Sequence, residues 1–370
     1  MKVGLNATCI NDRPSGAKQR FIGIYSELIK RMPTTEFVIY EPSDCRMGDW
    51  FDWAPNVVVK KTPIPSEGRV HKILLGLRFW KNELRRENFD IFEGFNMPLF
   101  KSPTGKTLLT IHDIRRMHPE WGFVGRIAYR YALKKALRNA DILITVSEAM
   151  KQELLQFYPR QQISVIYNGL NLKAFDQDIS LYLDVFREKY SIFGEFILAV
   201  GHIEHRKNYS GLLDCMALLR DWGLSLNLII IGNDSGERKI LQNKIASLNL
   251  GKNVIFLSGL TDLDVRCAYK LCHLFVFPSK YEGFGIPILE AMASGCAMAL
   301  SDIPVFREIT QNRSNYFPPD DVEAMANTIQ KVLRPNDENQ KLRAYGYDRV
   351  KDFSFESISR GLENLYANFI

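Results

Sequence analysis

No stretch of this chain stays apolar for anything near the ~18 residues that a membrane-crossing helix needs, so a spanning segment is not expected. The N-terminus, MKVGLNATCINDRPSG, lacks the long apolar core of a secretory signal and reads as a first β-strand. Cysteine is sparse and scattered. The nearest pair in sequence, Cys267 and Cys272, has no zinc-type spacing, which points to reduced thiols in a cytoplasmic protein. Low-complexity tracts are absent too. With 46% apolar and 24% charged residues, the composition is that of a folded globular chain, not a disordered one.

At 370 residues the chain is too long for one core and suggests two domains. Its net charge of +6 is unevenly spread. Residues 1–175 hold 27 Lys and Arg against 17 Asp and Glu, whereas the remainder holds 21 against 25. A basic first half suggests an anionic partner, such as membrane phospholipid, lipid phosphate or nucleic acid.

Short β-rich runs alternate with longer amphipathic stretches. They are KVGLNA (2–7), EFVIYE (36–41), NVVVKK (56–61), DIFEGF (90–95), TLLTIHD (107–113), ILITVS (142–147) and ISVIYNG (163–169), then FILAVGHI (196–203), NLIIIGN (227–233), NVIFLSG (253–259), LFVFPS (274–279) and AMALSD (297–302). In ERKILQNKIASLNLG, residues Ile240, Leu241, Lys244, Ile245 and Leu248 keep a 3–4 spacing and predict a helix. Alternating βα units with nearly continuous apolar strands predict parallel sheets covered on both faces. Two such sets predict an α/β protein of two Rossmann-like domains facing across a cleft, the chain passing between them near 170–190. Ligands of such sheets sit beyond the carboxyl ends of the strands, so residues just after strands are the candidates.

Several stretches compete for attention. SPTGKT (102–107) has the end of a P-loop but neither its first glycine nor a preceding strand, and reads as a turn. TDLD (261–264) offers an Asp-x-Asp, yet Thr261 and Asp264 precede an apolar helix and fit a capping box better. GHIEHRKN puts Arg206 and Lys207 at a strand end, either as diphosphate-neutralising cations or as a solvated basic turn. TIHD puts His112 at another strand end, to hydrogen-bond a reacting group or simply to sit in a capped loop. The loop NDRPSGAKQ brings Gly16 to a helix start, where backbone N–H groups can meet phosphate or merely turn the chain. Arg126, Arg130, Lys134 and Arg138 recur every four residues, a basic stripe for anionic lipid headgroups or for solvent. No nucleic-acid-binding module is recognisable.

The stretch YEGFGIPILEAMASG (281–295) is the most specific. Pro287 suits a first helical turn, and Gly295 a C-terminal cap. Gly283 and Gly285 leave the backbone open to a ligand. Their N–H groups, with those of Phe284 and Ile286, can meet a diphosphate or a sugar hydroxyl. Helical side chains lean toward the N-terminus, so Glu290 should reach back to the same ligand and grip adjacent hydroxyls, as on a ribose. Glu282 would face it from the loop.

This Glu-x₇-Glu stretch resembles the signature of GT-B glycosyltransferases of the retaining family 4. VGHIEHRKNYSGLL, LFVFPSKYEGFGIPILEAMASGCAMALSD, TVSEAMKQEL, IYNGLN, RSNYFPPDDVEAMA and FSFESISRGLENLY are similar to further segments of that family. Together they cover most of the chain from about residue 105 onward. The resemblance implies an N-terminal acceptor-binding domain (1–175), a nucleotide-sugar-binding domain (176–350) and a helix crossing back to the first domain (351–370). It implies that Glu290 holds the nucleotide ribose. Glu282, Gly283, Phe284, Gly285 and Ile286 would hold donor sugar and phosphates, and Arg206 and Lys207 would neutralise the leaving diphosphate. His112 would reach the reacting centre, Gly16 would approach the phosphates, and Gly259 and Leu260 would contact the base. Two positions depart from the pattern: His202 stands where arginine is common, and Asn171 where aspartate is.

The implied reaction is hexosyl transfer, with retention, from a nucleoside-diphosphate sugar to a lipid-linked or polysaccharide hydroxyl in bacterial surface glycan synthesis. GDP-mannose is the favoured donor, without metal or other cofactor and without nucleic acid. The implied location is cytoplasmic, peripheral at the inner membrane face if the basic half docks there. An epimerase or phosphorylase of the same fold, or a catalytically silent nucleotide-sugar-binding partner, are the competing readings.

Overall fold

The computed structural model describes residues 1–13, 15–118, 122–159, 162–334 and 337–369, with the side chains of 69–71 excluded. Pro14, in the loop singled out before Gly16, thus lies outside the described residues. The chain divides into two units, Met1–Leu170 with Phe353–Ile370, and Asn171–Asp352.

Among the described residues the first unit is built on seven strands: β1 (Lys2–Asn6), β2 (Glu36–Glu41), β3 (Val57–Lys61), β4 (Ile91–Gly94), β5 (Lys106–Ile111), β6 (Ile142–Thr145) and β7 (Ile163–Val165). The second has six: β8 (Phe196–Val200), β9 (Asn227–Ile231), β10 (Val254–Leu257), β11 (Leu274–Phe277), β12 (Met298–Ser301) and β13 (Asn315–Phe317). Every pairing is parallel. The orders are β3-β2-β1-β4-β5-β6-β7 and β10-β9-β8-β11-β12-β13, so each sheet reverses direction of growth once, between β1 and β4 and between β8 and β11. The crevice outside such a reversal point is where an open α/β sheet takes its ligand.

The strands explain themselves. β11 reads LFVF and is buried throughout, as a central strand covered by helices on both faces must be. Strand β13, only Asn-Tyr-Phe, carries too short a pattern to be foreseen from periodicity. In the helix Arg238–Ser247, Leu241 and Ile245 are buried as their spacing predicts, but Ile240 is 56% exposed. The run ILQNKI is compatible with a face centred on either isoleucine neighbour, and packing chose Leu241.

The first unit is closed by the end of the chain. The helix Phe355–Ala367 packs on the helix Gly16–Arg31. Only glycine fits at position 23, since a Cβ there would lie 2.2 Å from the Phe355 ring. The Leu170 amide donates to the Phe353 carbonyl at 2.8 Å. Tyr366 donates to Oε2 of the fully buried Glu93 at 2.6 Å, and Thr110 donates to its Oε1 at 2.5 Å. Burial raises the Glu93 carboxyl above its ordinary range, and these two donors work against that rise. Arg20, also buried, donates to the carbonyls of Ile166 and Tyr167 and to Asn168 Oδ1, tying the last strand of the unit to its first helix.

Candidate functional site

Strands β8 and β11 are direct neighbours, with Leu274 beside Ile197 and Phe275 beside Leu198. The loops that leave their carboxyl ends therefore meet, although they stand some 75 residues apart. The meeting is sealed by the Lys280 amide, which donates to the Arg206 carbonyl at 2.8 Å. Arg206 in turn donates to the Tyr281 carbonyl at 3.0 Å.

What converges there is a charge cluster. Glu282 Oε1 lies 2.6 Å from Lys207 Nζ, and its Oε2 lies 2.5 Å from Arg206 Nη1. Arg206 Nη2 reaches Glu204 at 2.7 Å. Lys207 is 5% exposed, with its ammonium 4.7 Å above the Phe277 ring centre. Position 201 must be glycine for this lysine to pass: φ is +145°, and a Cβ would sit 2.9 Å from Lys207 Cε. Burial pushes the Glu282 carboxyl up, but Lys207 and Arg206 outweigh it and hold the group at about 2. Burial lowers Lys207, the Glu282 carboxylate restores it, and Arg206 lowers it again. The cluster is therefore not the bare dication suggested by Arg206-Lys207 in sequence. Glu282 divides its two oxygens between the cations and fixes both. An ammonium has three donors, so Lys207 has hydrogen-bonding capacity beyond this carboxylate.

The helix that follows runs Ile286–Ala293, with proline in its first turn and Gly295 at φ +70° just past its end. Gly285 precedes it at φ +129°, a conformation open to glycine alone, and offers no side-chain cap. The helix thus presents an electropositive N-terminus without a side-chain cap from Gly285. Phe284 is buried, 4% exposed, and anchors the loop from below. Glu290 lies in the helix's second turn and accepts from Tyr269 Oη at 2.9 Å. Burial raises its carboxyl to about 7, the Tyr269 hydrogen bond pulling down and Asp262 pushing up.

The other candidates stand on other connections of the two sheets. Gly259 (φ +69°) is exposed and Leu260 half-buried in the connection from β10 to the helix Asp262–Leu271. Thr261 and Asp264 cap that helix reciprocally, as their spacing predicts. Gly16 is exposed at the start of the helix Gly16–Arg31, whose N-cap Ser15 accepts from the Lys18 amide. His112 follows β5, two strands from β1, so His112 and Gly16 leave from non-adjacent strands. Desolvation and the Arg20 guanidinium drive the His112 ring down to about 3, so it is neutral. His202 is exposed. Sequence reasoning missed Glu204, Tyr269 and Phe277. Their only advance signal was position, Glu204 being two residues from Arg206.

All six cysteines are free thiols, and the closest approach is not Cys267 with Cys272 but Cys272 with Cys296, at 3.7 Å. Among the described residues no group of three or more His, Cys, Asp or Glu gathers as a metal-binding cluster.

Comparison with known proteins gives a consistent picture. The family model described as glycosyl transferases group 1 matches residues 186–349, and that described as glycosyltransferase family 4 matches residues 30–174. The O-antigen chain mannosyltransferase RfbU of Salmonella typhimurium is 31% identical over 69% of this chain and 69% of its own. O-antigen chain mannosyltransferase B of Escherichia coli is 27% identical over 70% of each chain. Among solved structures, HepE of Anabaena with UDP and glucose superposes with a TM-score of 0.77 at 18% identity, over 100% of both chains. WaaG, a glycosyltransferase involved in lipopolysaccharide biosynthesis, superposes with a TM-score of 0.76 at 18% identity, over 98% of this chain and 99% of its own. The fold is GT-B.

Proposed function

Because the chain belongs to the group 1 glycosyl transferases and is a glycosyltransferase, we propose that it moves a mannosyl residue from GDP-mannose to a hydroxyl of a lipid-linked or polysaccharide acceptor, with retention at the anomeric carbon. The observation that carries the reading is the Arg206–Glu282–Lys207 cluster at the reversal point of the second sheet, beside a helix N-terminus that has no side-chain cap. Mannose is supported by the names of the relatives, and a lipid-linked or polysaccharide acceptor by their action on O-antigen chains.

In this reading the diphosphate lies across the cluster and the helix start. Bond cleavage at the anomeric carbon puts charge on the leaving phosphate, and preorganised Lys207, Arg206 and N–H groups around Gly283–Ile286 stabilise it there. Glu282 orients the cations and faces the sugar. Glu290 takes the ribose hydroxyls, and Gly259 and Leu260 the base. The departing phosphate oxygen receives the acceptor's proton on the same face, so no carboxylate nucleophile is used. His112 enters as a neutral hydrogen-bonding group, and Gly16 as a backbone donor. The cations fill the charge role that a metal would otherwise take.

A thermal-shift screen of the full chain against UDP, GDP, ADP and dTDP sugars tests the donor. GDP-mannose is expected to stabilise most, and transfer is expected to survive EDTA. Stabilisation by another base alone would replace the donor, and strict metal dependence would overturn the mechanism.

Among the described residues no helix is long and apolar enough to cross a membrane. Peripheral docking is part of the proposal and rests on the helix Phe123–Asn139. Phe123, Ile127 and Tyr131 form an apolar stripe, 70%, 53% and 72% exposed, beside the basic stripe of Arg126, Arg130, Lys134 and Arg138. Adjacent apolar and basic stripes suit an interfacial helix on anionic lipid. Flotation with phosphatidylglycerol vesicles at low salt is expected to carry the protein upward, and phosphatidylcholine vesicles are not. No flotation with either would refute docking.

A further inference from the structure

We propose that Tyr269 is a positioning residue for the donor: its phenol holds one oxygen of Glu290 so that the other is presented, ionised, to the ribose hydroxyls. The proposal rests on the reading of Glu290 as the ribose grip, and goes beyond it.

Tyr269 is 1% exposed in the helix Asp262–Leu271, and its ring packs against Phe275 with centroids 5.4 Å apart. Both ends of the residue are held. Its carbonyl accepts from the thiols of Cys272 and Cys296 at 3.3 and 3.0 Å. Its Oη donates to Glu290 Oε2 at 2.9 Å, with the Pro287 carbonyl farther off at 3.4 Å. A carboxylate bound at one oxygen by a rigid aromatic has little freedom left, and its second oxygen points where the helix aims it. Phenylalanine would fill the same space, so the ring alone does not account for a buried hydroxyl here.

The phenol also governs charge. Two vicinal hydroxyls donate well to a carboxylate and poorly to a carboxylic acid. Burial brings Glu290 close to neutrality at working pH, and Asp262 pushes it further, while Tyr269 opposes both. Of the other charged groups on the packed elements, Asp264, Arg266 and Arg343 are engaged elsewhere. Asp264 is bonded to Thr261, Lys189 and Tyr190. Arg266 donates to the Ala174 carbonyl. From the helix Asp337–Arg349, Arg343 donates to the Gly295 carbonyl at the far end of the 286–293 helix. No described cation pairs with Glu290, so the phenol is the group that keeps it ionised.

The test is calorimetric titration of GDP into the full chain from about pH 6 to about pH 8.5, with 2′-deoxy-GDP as control; the control carries the same phosphates and removes their titration from the comparison. The wild type should prefer GDP increasingly as pH rises through about 7, because the carboxylate is present above its pKa and lost below it. In Tyr269→Phe the midpoint should move up by about one unit, costing about fivefold in that preference at neutral pH and little at the alkaline end. A 3-fluorotyrosine at the same position, a stronger donor of the same shape, should move it down. Melting curves verify that each protein is folded. A midpoint unmoved by both replacements, with Glu290→Gln flat and weak, overturns the role of Tyr269 and leaves the ribose grip standing. Glu290→Gln that discriminates GDP from the deoxy compound as the wild type does overturns the ribose grip itself.

Discussion

Lys207→Ala is expected to lower turnover by ~10² or more at saturating donor, the loss typical when one preorganised group that stabilises developing charge is removed. The reason lies in its place. Lys207 is buried, paired at 2.6 Å with Glu282, and threaded past Gly201, so its ammonium is held where a phosphate can use it without reorganisation. The alanine variant also leaves Glu282 with Arg206 alone, and breaking a buried pair costs on the order of 3–5 kcal/mol of stability. A lower melting temperature is therefore expected along with the lower rate. The two effects separate in single-turnover measurements on the folded fraction below the transition. Wild-type turnover in a folded Lys207→Ala would remove the lysine from the chemistry.

Glu282→Gln should produce a comparable loss of ~10² near pH 8 by a different route, the functional removal of a charge-stabilising cation. Without the carboxylate, Lys207 keeps the burial and the Arg206 guanidinium that lower its pKa, and loses the main partner that raises it, leaving the weaker pull of Glu204. The lysine is thereby lowered further and gives up its proton more readily as pH rises. Because a lysine is charged below its pKa, activity should recover in part as pH falls, an inflection that the wild type lacks. In the wild type Glu282 sits at about 2, well below its unfolded value, so the stability that it contributes is present above pH ~4.5 and fades only as pH falls toward 2. A variant whose rate is low but independent of pH would show that Glu282 acts directly on the sugar rather than through Lys207.

The local features were readable because their chemistry is short-range. Pro287 and Gly295 mark a helix start and stop within ten residues, and Thr261 with Asp264 form a reciprocal cap across three. Parallel β-strands announce themselves by apolar runs such as LFVF. The fold followed from their alternation. What the chain does not display is partnership across strand order. That Glu282 belongs to Arg206 and Lys207 depends on β8 lying next to β11, a pairing of segments far apart in sequence. So the cations looked free for a ligand when they are already braced. Tyr269 was invisible for the same reason, sitting in a neighbouring helix with nothing in its surroundings to mark it. The closest thiol pair in space was likewise not visible, because Cys296 comes to Cys272 only through the packing of two helix ends.

The return of residues 353–369 to the first unit has a consequence for how the protein is made. The second unit, Asn171–Asp352, is continuous and emerges from the ribosome whole. The first unit starts earlier but must wait, with the Gly16–Arg31 helix lacking its cover and the Glu93 carboxyl lacking the Tyr366 hydroxyl, until the last helix has been synthesised. At ordinary elongation rates that delay is on the order of ten seconds or more. During it, the half of the protein translated first is the half finished last.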